Sequence, residues 1–239
     1  MKEMKKQVSH YRKLFISMMM MVMVVSVGLA QVKEKRDVSD FTELSVSNAF
    51  AIEISVGNTE SLEIEAEERY IDDIITEVRG GRLVIRIRDS RNTRRMRSSP
   101  RAYLTVKSLE RIDVSGAVKL STEDPLEGDK LELEMSGAST VKMEVNVKEL
   151  YIQASGACVI NMEGEARDQT LRSSGATTYR AFDLESEIAD IRVNGAGSAR
   201  VNVSDKLDVR ASGASSIRYK GSPSVSKSTS GASSVRRSN

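Results

Sequence analysis

Arg180, Arg200 and Arg218 are 20 and 18 residues apart. Guanidinium groups that return at a near-constant step can line up in space. A row of them recognises carboxylate, sulfate or phosphate through charge-assisted, often bidentate hydrogen bonds. These three belong to a longer series: Ser121, Lys142, Asn161, Arg180, Arg200, Arg218 and Arg236. A second series at the same step reads Asp113, Glu134, Gln153, Arg172, Arg192 and Arg210. Both become arginine toward the C-terminus. Two readings stay open at this point. One is a solvated face whose arginines pair with Asp190, Asp208 or Glu185, as charged runs commonly do. The other is an anion-binding face centred on Arg180, Arg200 and Arg218, with an acidic glycan, a lipid head group or an envelope protein as partner.

Other chemistry has little support in the residues. The only histidine is His10, in the first thirty residues, and there is no tryptophan. Ser-His-Asp and Cys-His catalysis and histidine-ligated metals are therefore not expected beyond that segment. No phosphate loop and no Gly-x-Gly-x-x-Gly opening a helix is present. Cys158 is the single cysteine, so no internal disulfide can form, and it reads as a small buried filler. "STEDPLEGDK" clusters Glu123, Asp124, Glu127 and Asp129, oxygens that Ca²⁺ would need to converge. The bland alternative is a solvated loop. No carboxylate pair for glycan hydrolysis is marked by spacing. The expectation is a protein with no cofactor, no metal and no catalytic residues.

What must position the arginines is a repeat. A small-residue triplet recurs in "VSGAVKL", "MSGASTVKM", "ASGACVINM", "SSGATTYRA", "NGAGSARVNV", "ASGASSIRY" and "TSGASSVRR". Its glycines, Gly116, Gly137, Gly156, Gly175, Gly195, Gly213 and Gly231, step by 21, 19, 19, 20, 18 and 18 residues. Four residues before each stand Ile112, Leu133, Ile152, Leu171, Ile191 and Val209, until Lys227 breaks the column. Apolar residues at even offsets and polar ones at odd offsets describe strands on both sides of a bend. A unit of this size cannot bury its apolar face alone, so the repeats must stack into a β-solenoid. Glycine suits the bend, alanine beside it is expected to fit a narrow interior, and Ser or Asn can hydrogen-bond there.

The regular repeats run from residue 110. Before them, "FTELSVS", "FAIEISV", "SLEIEAE", "RLVIRIRD" and "RAYLTVK" alternate as strands. "YIDDIITEV" places Ile71, Ile74, Ile75 and Val78 on one helical face, with the glycines at 80–81 as its stop. These strands read either as early coils or as a separate cap. Residues 31–39 read as a linker, and residues 40–239 as one all-β domain.

Residues 1–30 read as an export signal: a basic start, the apolar run "LFISMMMMVMVVSVGLA", and cleavage between Ala30 and Gln31. An uncleaved anchor is the alternative. With the signal removed no transmembrane domain is expected, and the formal charge falls from +2 to −2 because five Lys+Arg and Glu3 leave with it. Net charge therefore does not suggest nucleic acid. A homo-oligomer is compatible with exposed strand edges.

The SGA corners, the export signal and the lead "DFTELSVSNAFAIEISVG" resemble the head GIN domain family, described as auto-transporter adhesins of bacterial envelopes. The "NGAGSARV" and "YKGSPSVSKSTSGASSV" stretches are similar to its late coils. The resemblance implies a right-handed parallel β-helix, shaped broadly like pectin lyases without their catalytic residues. It implies an adhesion or binding role in the periplasm, at the outer membrane or outside the cell. A glycan-active β-helix enzyme and an envelope sensing component are the alternatives.

Overall fold

The computed structural model describes residues 31–89, 91 and 96–238. The expected signal, with Ala30, lies outside them, and Gln31 opens strand β1 (Gln31–Arg36). Residues 31–39, expected as a linker, therefore hold a strand.

The chain forms a parallel β-solenoid that turns at every triplet glycine. β11 (Thr140–Gly156), β12 (Val159–Gly175), β13 (Thr178–Gly195) and β14 (Ser198–Gly213) each run from just past one corner glycine to the next. They stack in parallel, so that Gly156, Gly175, Gly195 and Gly213 form a column. Each coil has three sides. An approach side leads into the glycine (149–156 in β11), a departure side leaves it (159–163 in β12), and a return side links the two (164–167).

The corner explains the triplet. Ala157 N donates to Gly137 O of the preceding coil at 2.8 Å, and the same bond recurs from Ala138 to Ala232. Gly156 has φ +98°, and a Cβ on it would stand 2.5 Å from Gly137 O. Backbone conformation and close stacking therefore both demand glycine. The alanine does not enter the interior as expected. Ala117, Ala138, Ala157 and Ala176 are exposed, because glycine and alanine both follow the outside of the bend. The next residue turns inward: Val118, Ser139, Cys158, Thr177 and Ser215 are buried. Ser139 Oγ donates to Gly116 O at 3.1 Å and Ser215 Oγ to Gly195 O at 3.2 Å, using the carbonyl's second lone pair.

Leu133, Ile152, Leu171, Ile191 and Val209 are buried in one interior column. Each such side chain removed from water contributes about 1.5–3 kcal/mol. Tyr179, the largest fully buried side chain, stands in register with the small Ala199 of the next coil. Its hydroxyl donates to Gln169 Oε1 at 3.1 Å, and Gln169 Nε2 donates to Ser186 Oγ at 2.7 Å. Burial pushes the phenol well above its ordinary range.

The N-terminal strands are both coil and cap. β2 (Glu43–Asn48) and β3 (Ala51–Val56) lie parallel beneath β8 (Arg111–Gly116) and β9 (Lys119–Thr122). Beneath them lie β6 (Arg82–Ile87) and β7 (Arg101–Val106). The chain thus lays one coil, places a layer under it, and returns above it. β4 (Ser61–Glu67) then pairs antiparallel with β7, β1 with β4, and β5 (Ile74–Arg79) with β6. These antiparallel layers end the parallel stack. The corner column ends at Asn48, with φ +80°, whose Oδ1 accepts Ile87 N at 3.0 Å.

The short helix expected over "YIDDIITEV" is present but starts earlier and ends sooner. A short 3-10 helix covers Glu68–Asp73, and Ile74–Arg79 is a strand. β-Branched Ile74, Ile75, Thr76 and Val78 favour the hairpin with β6, and Gly80 and Gly81, at φ +58° and +77°, form its turn.

The last coil comprises β15 (Ser216–Lys220), β16 (Ser224–Thr229) and β17 (Ser234–Arg237). Lys227 stands in register with buried Val209 but is itself exposed. A charge thus replaces an apolar residue at the open end.

Candidate functional site

Stacking in register brings the expected arginines together. On the departure side Arg180 lies beside Arg200, Arg200 beside Arg218, and Arg218 beside Arg236. The step is the strand spacing, about 4.8 Å. All four are exposed, and none makes an ion pair among the described residues. Arg180 Nη1 donates to Asn161 Oδ1 at 3.2 Å. Like charges directly opposite one another repel, so an anion laid across them removes a repulsion as well as forming hydrogen bonds.

The approach side differs. Arg172, Arg192 and Arg210 also stack in register. Arg192 Nη2 meets Asp190 Oδ2 at 2.9 Å, and Arg210 Nη2 lies 3.6 Å from Asp208 Oδ2. Arg172 lies over the Tyr151 ring, 5.7 Å from its centroid. Asp190 and Asp208 thus pair with arginines of this row alone, Arg192 and Arg210. Glu185 pairs with neither row and lies in a return-side groove. Earlier on the approach side, Arg111 is bracketed by Asp113 at 3.1 Å, Glu132 at 3.2 Å and Glu134 at 2.6 Å.

Two columns flank the free row on the same outward face. Thr178, Ser198, Ser216 and Ser234 precede each arginine by two residues, and their hydroxyls have no side-chain partner among the described residues. Two residues after, the positions hold Phe182, Asn202 and Lys220, with Lys220 Nζ 4.6 Å from the Phe182 centroid. Sequence reasoning did not single these out. The same glycine alignment carries them at offsets of three and seven, but a register shift between Ala181 and Glu185 distorts the later column.

The remaining candidates separate. Glu123 accepts from Ser55 Oγ at 3.0 Å, Asp124 from Val56 N at 3.0 Å, and Asp129 pairs with Lys148 at 2.6 Å. The Lys148 ammonium holds Asp129 below the usual carboxylate range. These carboxylates do not converge, and among the described residues no acidic, histidine or cysteine cluster could hold a metal. Cys158 is buried, its Sγ lies 3.4 Å from Ser155 O, and burial pushes the thiol up, so it is inert. A return-side groove of about 550 Å³ carries Glu165, Glu185 and Glu187 together with Lys148 and Arg167. All three glutamates are exposed.

Comparison with known proteins decides the family. The sequence profile of the family described as "Putative auto-transporter adhesin, head GIN domain" matches residues 40–223. The chain belongs to the head GIN domain family. No curated protein matches this head GIN domain by sequence. Several solved structures share its fold, three of which illustrate the likeness. A candidate adhesin from Bacteroides fragilis is 23% identical, with a TM-score of 0.83 over 87% of this chain and 97% of its own. A candidate lipid-binding protein from Parabacteroides distasonis is 20% identical, with a TM-score of 0.71 over 87% and 97%. A candidate adhesin from Parabacteroides merdae is 18% identical, with a TM-score of 0.67 over 87% and 96%. Among the described residues of this head GIN domain, no helix is long and apolar enough to cross a membrane.

Proposed function

We propose that this head GIN domain is an exported, non-catalytic binding module of the bacterial envelope, and that it takes anionic ligands on its departure side. The observation that carries the reading is the row Arg180, Arg200, Arg218 and Arg236, stacked in register without a carboxylate partner. Arginines kept only for solubility would be expected to acquire acidic neighbours, as Arg192 and Arg210 have. Its structural neighbours are described as a candidate adhesin and a candidate lipid-binding protein, and a binding role is compatible with both descriptions. Residues 1–30 supply the export route in this reading, with cleavage between Ala30 and Gln31.

The test is an array of glycans and lipid head groups, probed at low and physiological salt. Anionic ligands should bind, and binding should weaken with salt because exposed charges are screened over about 8 Å at physiological ionic strength. Replacing Arg180, Arg200 and Arg218 with glutamine should abolish the signal while leaving the circular-dichroism melting curve in place. Unchanged binding by that variant would remove the row from the reading. Consumption of an acidic glycan would instead favour an enzyme acting in the return-side groove.

A further inference from the structure

We propose that the departure-side row takes a linear acidic polysaccharide, lying along the solenoid axis with one anionic group on each coil. This rests on the anion-binding reading above and adds the form of the ligand. The free arginines form a line: Arg180, Arg200, Arg218 and Arg236 follow one column, with Lys220 beside Arg218, whereas across the corner Arg192 and Arg210 are paired with Asp190 and Asp208 and Arg172 lies over the Tyr151 ring. A lipid surface would engage a two-dimensional patch with an apolar wedge. The exposed large hydrophobics, Val56 and Ile188, stand elsewhere on the coils.

The flanking chemistry suits sugar. The hydroxyls of Thr178, Ser198, Ser216 and Ser234 run beside the arginines without side-chain partners, so a polymer with one acid and several hydroxyls per unit meets both columns. Proteins that hold single-stranded nucleic acid stack successive bases on aromatic rings. Here the one ring beside the row, Phe182, is covered by Lys220.

The row also has ends. Below Arg180 the column continues as Asn161 and Lys142, with Glu144 and Glu163 beside it, and Lys142 is engaged by Glu163 at 3.4 Å. Those glutamates repel a polyanion. At the other end Arg236 lies on the last strand. Among the described residues the binding face thus spans four coils.

Calorimetric titration of the purified protein with oligogalacturonates of increasing length tests this, with methyl-esterified chains and anionic phosphatidylglycerol vesicles alongside. Affinity should rise roughly threefold per added carboxylate, in line with exposed ion pairs, and level off at four. Arg236→Gln should move the plateau to three, and esterified chains should not bind. Affinity independent of length would overturn the linear ligand. So would tight binding to vesicles with none to oligogalacturonate, although the anion-binding reading would survive it. Binding to neither would sink both.

Discussion

At the scale of single residues, the corner glycine carries two roles that no other residue combines. Its positive φ makes the bend, and its missing Cβ lets it lie close against the preceding coil. Gly156→Ala should therefore destabilise by about 1–3 kcal/mol from backbone strain alone, before any clash with Gly137 O is counted. Urea denaturation would measure it, with Ala157→Ser as the neutral comparison because Ala157 is exposed. Equal stability of the two variants would mean that the stack tolerates displacement at its corner. The glycine role was legible in the sequence because seven copies shared it. The alanine was misplaced because alternation predicts facing only along a strand, and Gly-Ala is where the strand bends.

Elements were legible where the repeat was regular and illegible where the cap begins. Once the glycines are aligned, the interior columns and both arginine rows follow from parallel, in-register pairing. The layer formed by β6 and β7 beneath β2 and β3 does not, because its strands return to an earlier coil and share no motif with it. Sequence reasoning named Asp190 and Asp208 as partners without assigning them to a row, although they stand two residues before Arg192 and Arg210 while Thr178, Ser198 and Ser216 hold that place before the free arginines. The cap also carries a pH-sensitive tie. Glu67, at the end of β4, accepts Arg97 N at 2.6 Å and Arg69 Nη2 at 2.6 Å. The Arg97 amide, followed by the Arg69 guanidinium, holds its carboxyl below the ordinary range. A lowered folded pKa contributes stability above the ordinary glutamate value, about pH 4, and that stability is lost as pH falls through the folded value. Acid melting should lose part of its slope in Glu67→Gln, which is less stable at neutral pH. A variant melting like the parent across that range would show that this tie contributes nothing.

The whole molecule is a stack whose ends must not grow. At one end antiparallel β1, β4 and β5 close the sheets. At the other, Lys227 replaces the apolar residue that Ile112 through Val209 supply in every other regular coil. Lys227→Ile should make that end sticky, and sedimentation velocity should then detect species heavier than the parent at equal concentration. An unchanged profile would place the protection elsewhere in the last coil.

The central claim is that position, and not net charge, makes the departure side the binding face. One comparison addresses it directly: the affinity of a single acidic polysaccharide for the parent, for Arg180→Gln/Arg200→Gln/Arg218→Gln, and for Arg172→Gln/Arg192→Gln/Arg210→Gln, all at the same salt. Both triple variants lose the same formal charge. Loss of binding in the first and near-parental binding in the second is the predicted result. Equal losses in the two would contradict it, leaving only a diffuse attraction to a positively charged half of the solenoid.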